Sequence, residues 1–281
     1  MTRIATRFAE LKAARRTALI PFVTAGDPLP QAMPDLLHAL VAGGADLIEL
    51  GMPFSDPMAD GPVIQHANER SLARGTDVAD ILAWVSDFRR SDRDTPLVLM
   101  GYLNPIEIYG WEAFARHAAE AGIDGVLLVD CPVEEMAVSQ AVRDAGLDQI
   151  LLAAPTTSAG RLARMCERAT GFLYYVSFAG ITGAARLAVG EMAGRVAAIR
   201  QASRVPVAVG FGVRDAESAV AIAGFADGVV IGSALVERLA GAADAAELAS
   251  RAREFLQPIR AALDARSAGS PASPQIEADR R

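Results

Sequence analysis

The sequence predicts an α/β fold in which eight parallel strands alternate with helices and close into a barrel, with an extra helix ahead of the first strand. Three observations lead to this prediction. Short apolar runs recur along the chain, segments with helical spacing lie between them, and the length suits one large core. The chain has 281 residues, 52% of them hydrophobic and 22% charged, which is near the upper end of what a single domain reaches.

Eight apolar runs rich in Val, Ile and Leu are the strand candidates. They are nearly continuous in hydrophobicity rather than alternating, which is typical of strands that are covered on both faces in a parallel sheet. We therefore expect helices on the outside of the sheet. The predicted strands are Ala18–Thr24, Asp46–Leu50, Leu97–Tyr102, Gly125–Val129, Ile150–Ala153, Leu173–Ser177, Val207–Gly210 and Gly228–Ile231.

The segments between these runs carry apolar residues at helical spacing, and most of them end at glycine. An additional amino-terminal helix is predicted within residues 1–16, where Ile4, Phe8 and Leu11 share one helical face. The other predicted helices are Pro30–Gly43, Val63–Arg74, Val78–Arg90, Trp111–Ala121, Val133–Ala145, Ala159–Ala169, Gly190–Ala202, Ala216–Ala223 and Ala243–Arg266.

Eightfold alternation of strand and helix in a chain of this length predicts a (β/α)8 TIM barrel. A doubly wound open sheet is the alternative, because periodicity does not show whether a sheet closes. We expect residues 1–266 to form this single domain. Residues 267–281 are polar and poor in bulky apolar side chains, so we expect a disordered tail there.

Composition excludes several classes of function. The net charge of −7 and the pI of about 5.1 leave no basic footprint for nucleic acid. The two cysteines, Cys131 and Cys166, lie far apart, with no spacing typical of a disulfide framework or a zinc site. No apolar run approaches the length of a membrane span. We therefore predict a soluble cytoplasmic protein.

The placement of lysine and histidine narrows the chemistry further. The only lysine, Lys12, precedes the first strand, which excludes an aldolase that forms a Schiff base. The histidines, His38, His66 and His117, fall in helical segments without a partner at metal-ligand spacing, so no metal site is predicted. No serine or cysteine has the context of an activated nucleophile. After these exclusions, acid–base catalysis by carboxyl groups is the chemistry that the sequence supports.

Two carboxylates lie where a barrel places its active site, at the carboxyl ends of the strands. Glu49 interrupts the apolar strand DLIEL, and burial there should raise its pKa. The alternative is a structural glutamate satisfied by an arginine or by backbone donors. The proline-stiffened loop that follows carries Asp56 and Asp60. For Asp60 the alternative is a helix cap. A carboxyl with a raised pKa beside an ionised one suits combined acid and base catalysis.

Glycines after the sixth, seventh and eighth strands suggest a phosphate site. They occur in the segments 177–184, 210–213 and 232–234, and the last of these leads into a short helix. Exposed backbone N–H groups and the start of a helix bind phosphate well. Barrels often bind phosphate after strands seven and eight.

These residues resemble one family closely, the tryptophan synthase alpha chains, from about Ile20 to Leu239. The most specific part is the block from Glu49 to Gln65. Two departures from the family pattern are Cys131 with Val133, and Phe178. The segments that carry the resemblance are ALIPFVTAGDP, DLIELGMPFSDPMADGPVIQ, the Tyr102-Leu-Asn-Pro105 turn, GVLLVD, LLAAPTT, GITGA, VAVGFGV and ADGVVIGSA.

The resemblance implies an activity and a set of site residues. The activity is retro-aldol cleavage of indole-3-glycerol phosphate to indole and glyceraldehyde 3-phosphate, without a cofactor. Glu49 would take the proton of the glycerol 3′-hydroxyl and help deliver one to indole C3, and Asp60 would pair with the indole N–H. Tyr102 would lie near Asp60, and Thr182 would hold it. The implied indole pocket consists of Phe22, Met100, Leu127, Tyr174 and Phe211, and the implied phosphate site of Gly183, Gly212, Gly232 and Ser233.

The resemblance also implies a partner, a beta chain that carries pyridoxal phosphate and receives indole in an alpha–beta–beta–alpha heterotetramer. The loops Met52–Asp60 and Phe178–Val189 would then form a lid, and the loop after Asp130 would contact the partner. Three alternatives stay open: another phosphate-binding barrel such as an isomerase, epimerase or indole-glycerol phosphate synthase; a non-catalytic alpha-like activator; and a free-standing lyase. The lack of a pocket lysine argues against the synthase, and the presence of both Glu49 and Asp60 argues against the activator.

Overall fold

The computed structural model describes residues 1–176, 185–210 and 212–269, and at residues 136, 139, 185–189, 268 and 269 it describes the backbone alone. Within these residues, parallel strands follow one another in chain order and close into a barrel through pairing of the last strand with the first. The predicted TIM barrel is confirmed, and the open-sheet alternative is wrong. The strands are β1 (Ala18–Thr24), β2 (Ile48–Gly51), β3 (Leu97–Gly101), β4 (Gly125–Leu128), β5 (Asp148–Ala153), β6 (Leu173–Val176), β7 (Val207–Gly210) and β8 (Gly228–Ile231).

Helices surround the barrel, and a short 3-10 turn at Pro30–Ala32 precedes the second of them. None of the described helices is long and apolar enough to cross a membrane. The helices are α1 (Arg3–Ala13), α2 (Met33–Ala42), α3 (Pro62–Ala73), α4 (Val78–Phe88), α5 (Leu103–Tyr109), α6 (Trp111–Ala121), α7 (Met136–Asp144), α8 (Ala159–Arg168), α9 (Ala185–Ala202), α10 (Ala216–Ala223), α11 (Ser233–Leu239) and α12 (Ala245–Gly269).

The predicted helices are all present, and most of their ends lie within three residues of the prediction. Helix α9 is the exception, since it begins at Ala185, five residues early and inside the segment expected to be a lid loop. One helix was not predicted. Helix α5 occupies the segment that the sequence predicted as a turn around Pro105. Proline is tolerated in the first turn of a helix, because no intrahelical hydrogen bond needs its N–H. Helix α12 continues to Gly269, and residues 270–281 of the predicted tail lie outside the described residues.

The core has two parts. One lies between the strands and the surrounding helices, and the other fills the barrel interior. Helix α1 closes the end of the barrel where the strands begin, because Ile4, Phe8 and Leu11 are buried in the interior cluster, as the sequence predicted. The rings of Phe8 and Phe172 pack at 5.8 Å there. A filled interior leaves the opposite end, where the strands finish, for a site.

Candidate active site

Glu49 lies on β2, in register with Phe22 of β1 and Val98 of β3. Its side chain is fully buried, and neither carboxyl oxygen has a hydrogen-bond partner among the described residues. Burial therefore raises the pKa of Glu49 to about 8, because desolvation disfavours the charged form and nothing offsets it. The alternative of a structural glutamate held by arginine or by backbone donors is wrong for the described part of the chain.

Asp60 lies at the end of the loop after β2, half-buried beside Tyr102. The Tyr102 hydroxyl accepts a hydrogen bond from the Ala59 N–H at 3.1 Å, and its ring stacks on Phe54 at 5.2 Å. Burial raises the pKa of Asp60 to about 6, while hydrogen bonds from Asn68 and Tyr102 hold it lower than burial alone would. The helix-cap alternative is wrong, since the residue that caps α3 is Gly61 and no side chain caps it.

Two side chains of helix α3 hold Asp60 in position through hydrogen bonds. Asn68 donates to the Asp60 carboxylate at 3.3 Å, and Gln65 donates to its backbone carbonyl at 2.7 Å. The helix itself is tied to the loop after β1, because Arg70 donates two hydrogen bonds, of 2.7 and 2.8 Å, to the buried Asp27. A bidentate pair of this kind fixes the relative orientation of the two side chains as well as their distance. The loop carboxylate is thus held by a rigid element.

Both carboxyl groups face one cavity of about 770 Å³ at the mouth of the barrel. Apolar side chains form its walls, which suits a planar aromatic ring. Of the predicted pocket residues, Phe22, Met100 and Tyr174 line it. Further apolar lining residues were not predicted, and they are Ile64, Val129, Leu152, Val176, Val213 and Val230.

Three of the residues predicted to bind phosphate line the same cavity. Gly212, Gly232 and Ser233 line it, and Ser233 begins helix α11 directly after Gly232. Gly212 has a positive φ of 61°, which a glycine adopts without strain. Two charged residues that the sequence analysis missed, Arg214 and Glu237, also line the cavity. The proximity of Arg214 was visible in the sequence, because it follows the glycine motif of β7 directly.

Tyr174 approaches the backbone of β7 so closely that only a glycine fits opposite. A Cβ built on Gly210 would overlap the Tyr174 hydroxyl. Burial raises the pKa of this tyrosine, and the charges of Glu49 and Asp60 raise it further, so its hydroxyl stays protonated near both carboxyl groups. Gly51 makes similar room for the ring of Phe22. Glycines at strand ends therefore shape the aromatic walls.

Five of the predicted binding residues are not placed on the cavity wall, and one of them, Tyr102, contacts Asp60 and Ala59 instead. Leu127 is fully buried in the barrel interior and does not line the cavity. Val129, two residues further along the same face and nearer the mouth, lines it instead, because side chains on one face of a strand repeat every second residue. Thr182, Gly183 and Phe211 lie outside the described residues.

The two carboxyl groups differ in charge near neutral pH. With a pKa of about 8, Glu49 is mostly protonated at pH 7, whereas Asp60, with a pKa of about 6, is mostly ionised. Neighbouring carboxyl groups with separated pKa values can act as proton donor and charge stabiliser in the same reaction. The arrangement suits proton transfer to and from a molecule that has an aromatic part and an anionic part.

Comparison with known proteins agrees with the resemblance seen in the sequence. Residues 8–264 match the model of the family described as "Tryptophan synthase alpha chain". The alpha chain of Laribacter hongkongensis is 57% identical over 94% of this chain and all of that protein. The alpha chain of Xylella fastidiosa strain 9a5c is 56% identical, over 94% and 99% of the two chains.

Solved structures agree as well. The crystal structure of tryptophan synthase subunit alpha from Legionella pneumophila has a TM-score of 0.88 at 44% identity, and the match covers 94% of this chain and 99% of that one. A tryptophan synthase structure from M. tuberculosis has a TM-score of 0.82 at 37% identity, with the same coverage. The chain belongs to the tryptophan synthase alpha chain family.

Proposed function

We propose that this chain is a carbon–carbon lyase that cleaves indole-3-glycerol phosphate to indole and glyceraldehyde 3-phosphate in the biosynthesis of tryptophan. The observation that carries the proposal is the pair Glu49 and Asp60, two carboxyl groups with raised and separated pKa values facing one cavity. The lining of that cavity combines apolar side chains with glycine backbone, which fits the two parts of this substrate.

Glu49 acts as the proton shuttle in this proposal. In its protonated form it donates a proton to indole C3, which turns the ring into an iminium that can accept electrons. The ionised Glu49 then takes the proton of the 3′-hydroxyl while the carbon–carbon bond breaks, its electrons return to the ring, and the hydroxyl carbon becomes an aldehyde. The proton count balances, and Glu49 ends protonated, as its pKa of about 8 favours.

Asp60 stabilises the intermediate. Its ionised carboxylate accepts a hydrogen bond from the indole N–H, which becomes more acidic as positive charge develops on the ring. Charge-assisted hydrogen bonds in a water-poor pocket are stronger than neutral ones. Tyr102 and Asn68 hold the carboxylate in place. We also propose that Thr182, outside the described residues, holds Asp60 when the loop closes.

The two ends of the substrate are held by different interactions. The indole ring lies against Phe22, Met100 and Tyr174, where burial of apolar area supplies the affinity. The phosphate lies at Gly212, Gly232 and Ser233. We also propose that Gly183 belongs to the phosphate site and Phe211 to the indole pocket, although both are outside the described residues. The first N–H groups of a helix such as α11 have no intrahelical acceptor and are free to bind an anion.

No cofactor is part of this proposal, because the substrate's own indole ring accepts the electrons. We further propose that the chain assembles with a tryptophan synthase beta chain, which carries pyridoxal phosphate, in an alpha–beta–beta–alpha heterotetramer in the cytoplasm. Two large apolar side chains near the barrel mouth, Met58 and Ile108, are 83% and 80% exposed. Exposed apolar residues beside a site suit a protein partner.

The test is the rate of indole release from indole-3-glycerol phosphate by the purified chain, alone and with a beta chain. We expect equal amounts of indole and glyceraldehyde 3-phosphate, and a faster rate with the beta chain, since closure of loops by a partner completes the site. A rate indifferent to the beta chain indicates a free-standing lyase. Activation of the beta chain without any indole release contradicts the lyase proposal.

A further inference from the structure

A second cavity lies at the opposite end of the barrel, and we call it the basal cavity. It has a volume of about 430 Å³. Thr17, Pro206 and Asp227, which line it, immediately precede β1, β7 and β8. The cavity is therefore separated from Glu49 by the filled barrel interior. Its size is within the range of small-molecule sites.

The basal cavity is strongly positive in a negatively charged protein. Five basic side chains and one acidic side chain, Asp227, line it, which gives a local charge of +4, whereas the chain as a whole carries −7. A cleft lined by one sign of charge concentrates ligands of the opposite sign. The basic residues are Lys12, Arg15, Arg16, Arg200 and Arg204.

Within the described residues, only two of these five cationic side chains form ion pairs. Arg16 pairs with Asp264 at 2.8 Å, and Arg200 pairs with Asp227 at 2.7 Å. Lys12, Arg15 and Arg204 have neither an ion pair nor a side-chain hydrogen bond within the described residues. Three cations that converge on one cavity repel each other, and an anion between them would relieve that repulsion.

Capping of helices does not account for the unpaired cations. They lie at or just beyond the carboxyl ends of α1 and α9, where positive charge favours the helix dipole. Cations that serve as caps commonly donate to the last carbonyl groups. None of the side chains of Lys12, Arg15 and Arg204 donates to a carbonyl of the described residues, so their positive groups remain available to a ligand.

The backbone conformation of Arg15 also supports a ligand-binding site in the basal cavity. Its φ is +55°, the only positive value among the described residues other than glycine. The Arg15 and Arg16 N–H groups close helix α1 through hydrogen bonds of 3.1 and 2.8 Å to Lys12 and Leu11, a helix end at which glycine is usual. Glycine would fit here with less strain, so the end of helix α1 does not itself require an arginine at this position.

We propose that the basal cavity binds a small anion with several negative charges, of the phosphate or polyphosphate class. Guanidinium groups match phosphate oxygens in geometry and remain charged at any physiological pH. Phe8, Leu11 and Phe225 add apolar surface beside the cations. The site is separate from the phosphate position of the proposed substrate at the barrel mouth.

Calorimetry with inorganic tripolyphosphate tests the proposal. The full chain is titrated at low ionic strength, with glycerol 3-phosphate held at the lowest concentration that saturates the barrel-mouth site, so that tripolyphosphate can still displace this more weakly held monophosphate from the basal cavity. We expect one saturable site in the wild type, weakened at least about tenfold in Lys12→Gln/Arg204→Gln. Arg15→Gly should weaken binding roughly fivefold while the melting temperature stays equal or rises, because glycine suits this backbone.

The control is Arg90→Gln, which removes an arginine that is 82% exposed just beyond the end of α4 and does not line the basal cavity. It should leave tripolyphosphate affinity unchanged within about twofold. Orthophosphate should bind more weakly than tripolyphosphate in the wild type. Absence of saturable binding, or equal affinity in the wild type, Arg15→Gly and the double variant, would overturn the proposal.

Discussion

Replacing Glu49 with glutamine should stabilise the protein at alkaline pH and remove its activity. The carboxyl has its ordinary pKa of 4.5 in the unfolded chain and a pKa of about 8 in the folded one. Because the folded value is raised, the contribution to stability is complete below pH 4.5 and is lost as the pH rises toward 8. A tenfold change in proton affinity corresponds to about 1.4 kcal/mol.

The wild type should therefore lose about 4 kcal/mol of unfolding free energy between pH 5 and pH 8.5 through Glu49 alone. Glu49→Gln does not ionise and escapes this loss. Urea unfolding of both proteins at the two pH values measures the difference, with Glu120→Gln on the exposed face of α6 as the control. A stability difference between wild type and Glu49→Gln that is the same at pH 5 and pH 8.5 would refute the reasoning.

Three further predictions concern the rest of the site. Asn68→Ala removes a hydrogen bond that lowers the pKa of Asp60, so the acid limb of the pH profile of kcat/KM should move to higher pH, and an unmoved limb contradicts this role. Gly210→Ala should displace the Tyr174 ring and cost about 1–3 kcal/mol of unfolding free energy. Urea unfolding measures this cost, and the affinity for an indole analogue is measured on the same variant. Unchanged stability and affinity would show that the ring has room for the added methyl group. Gly212→Asp should weaken glycerol phosphate binding by several kcal/mol at most, as like charges repel in a partly desolvated pocket, and equal affinity in calorimetry would place the phosphate elsewhere.

The sequence predicted the barrel well because its signals are local. Buried parallel strands are apolar throughout, and the helices between them show helical spacing and end at glycine, so each element could be recognised separately. Closure was predicted only from the number of repeats and the chain length, because the pairing that closes the barrel joins β1 and β8, which are more than 200 residues apart and give no local signal. Helix α5 was missed because the carboxylate that accepts its first N–H, at 2.8 Å, belongs to Asp130 at the end of β4.

The sequence likewise revealed those features of the site that depend on local context, and it did not reveal the contacts between distant segments. Glu49 stood out because a carboxylate inside an apolar strand is unusual, and its lack of partners could be seen only in three dimensions. The support of Asp60 by Asn68 was hidden, since a helix must fold back onto its own preceding loop to create it. The basal cavity was hidden for a similar reason, because its arginines come from the ends of α1 and α9, which are remote in sequence.

The central claim is that Glu49 carries the proton transfers of the lyase reaction. Single-turnover cleavage of indole-3-glycerol phosphate by Glu49→Gln, compared with the wild type, tests it most directly when glycerol phosphate affinity is measured on the same samples. We predict a rate that is lower by about 10²-fold or more, with the affinity unchanged. A variant that cleaves the substrate at nearly the wild-type rate would contradict the account.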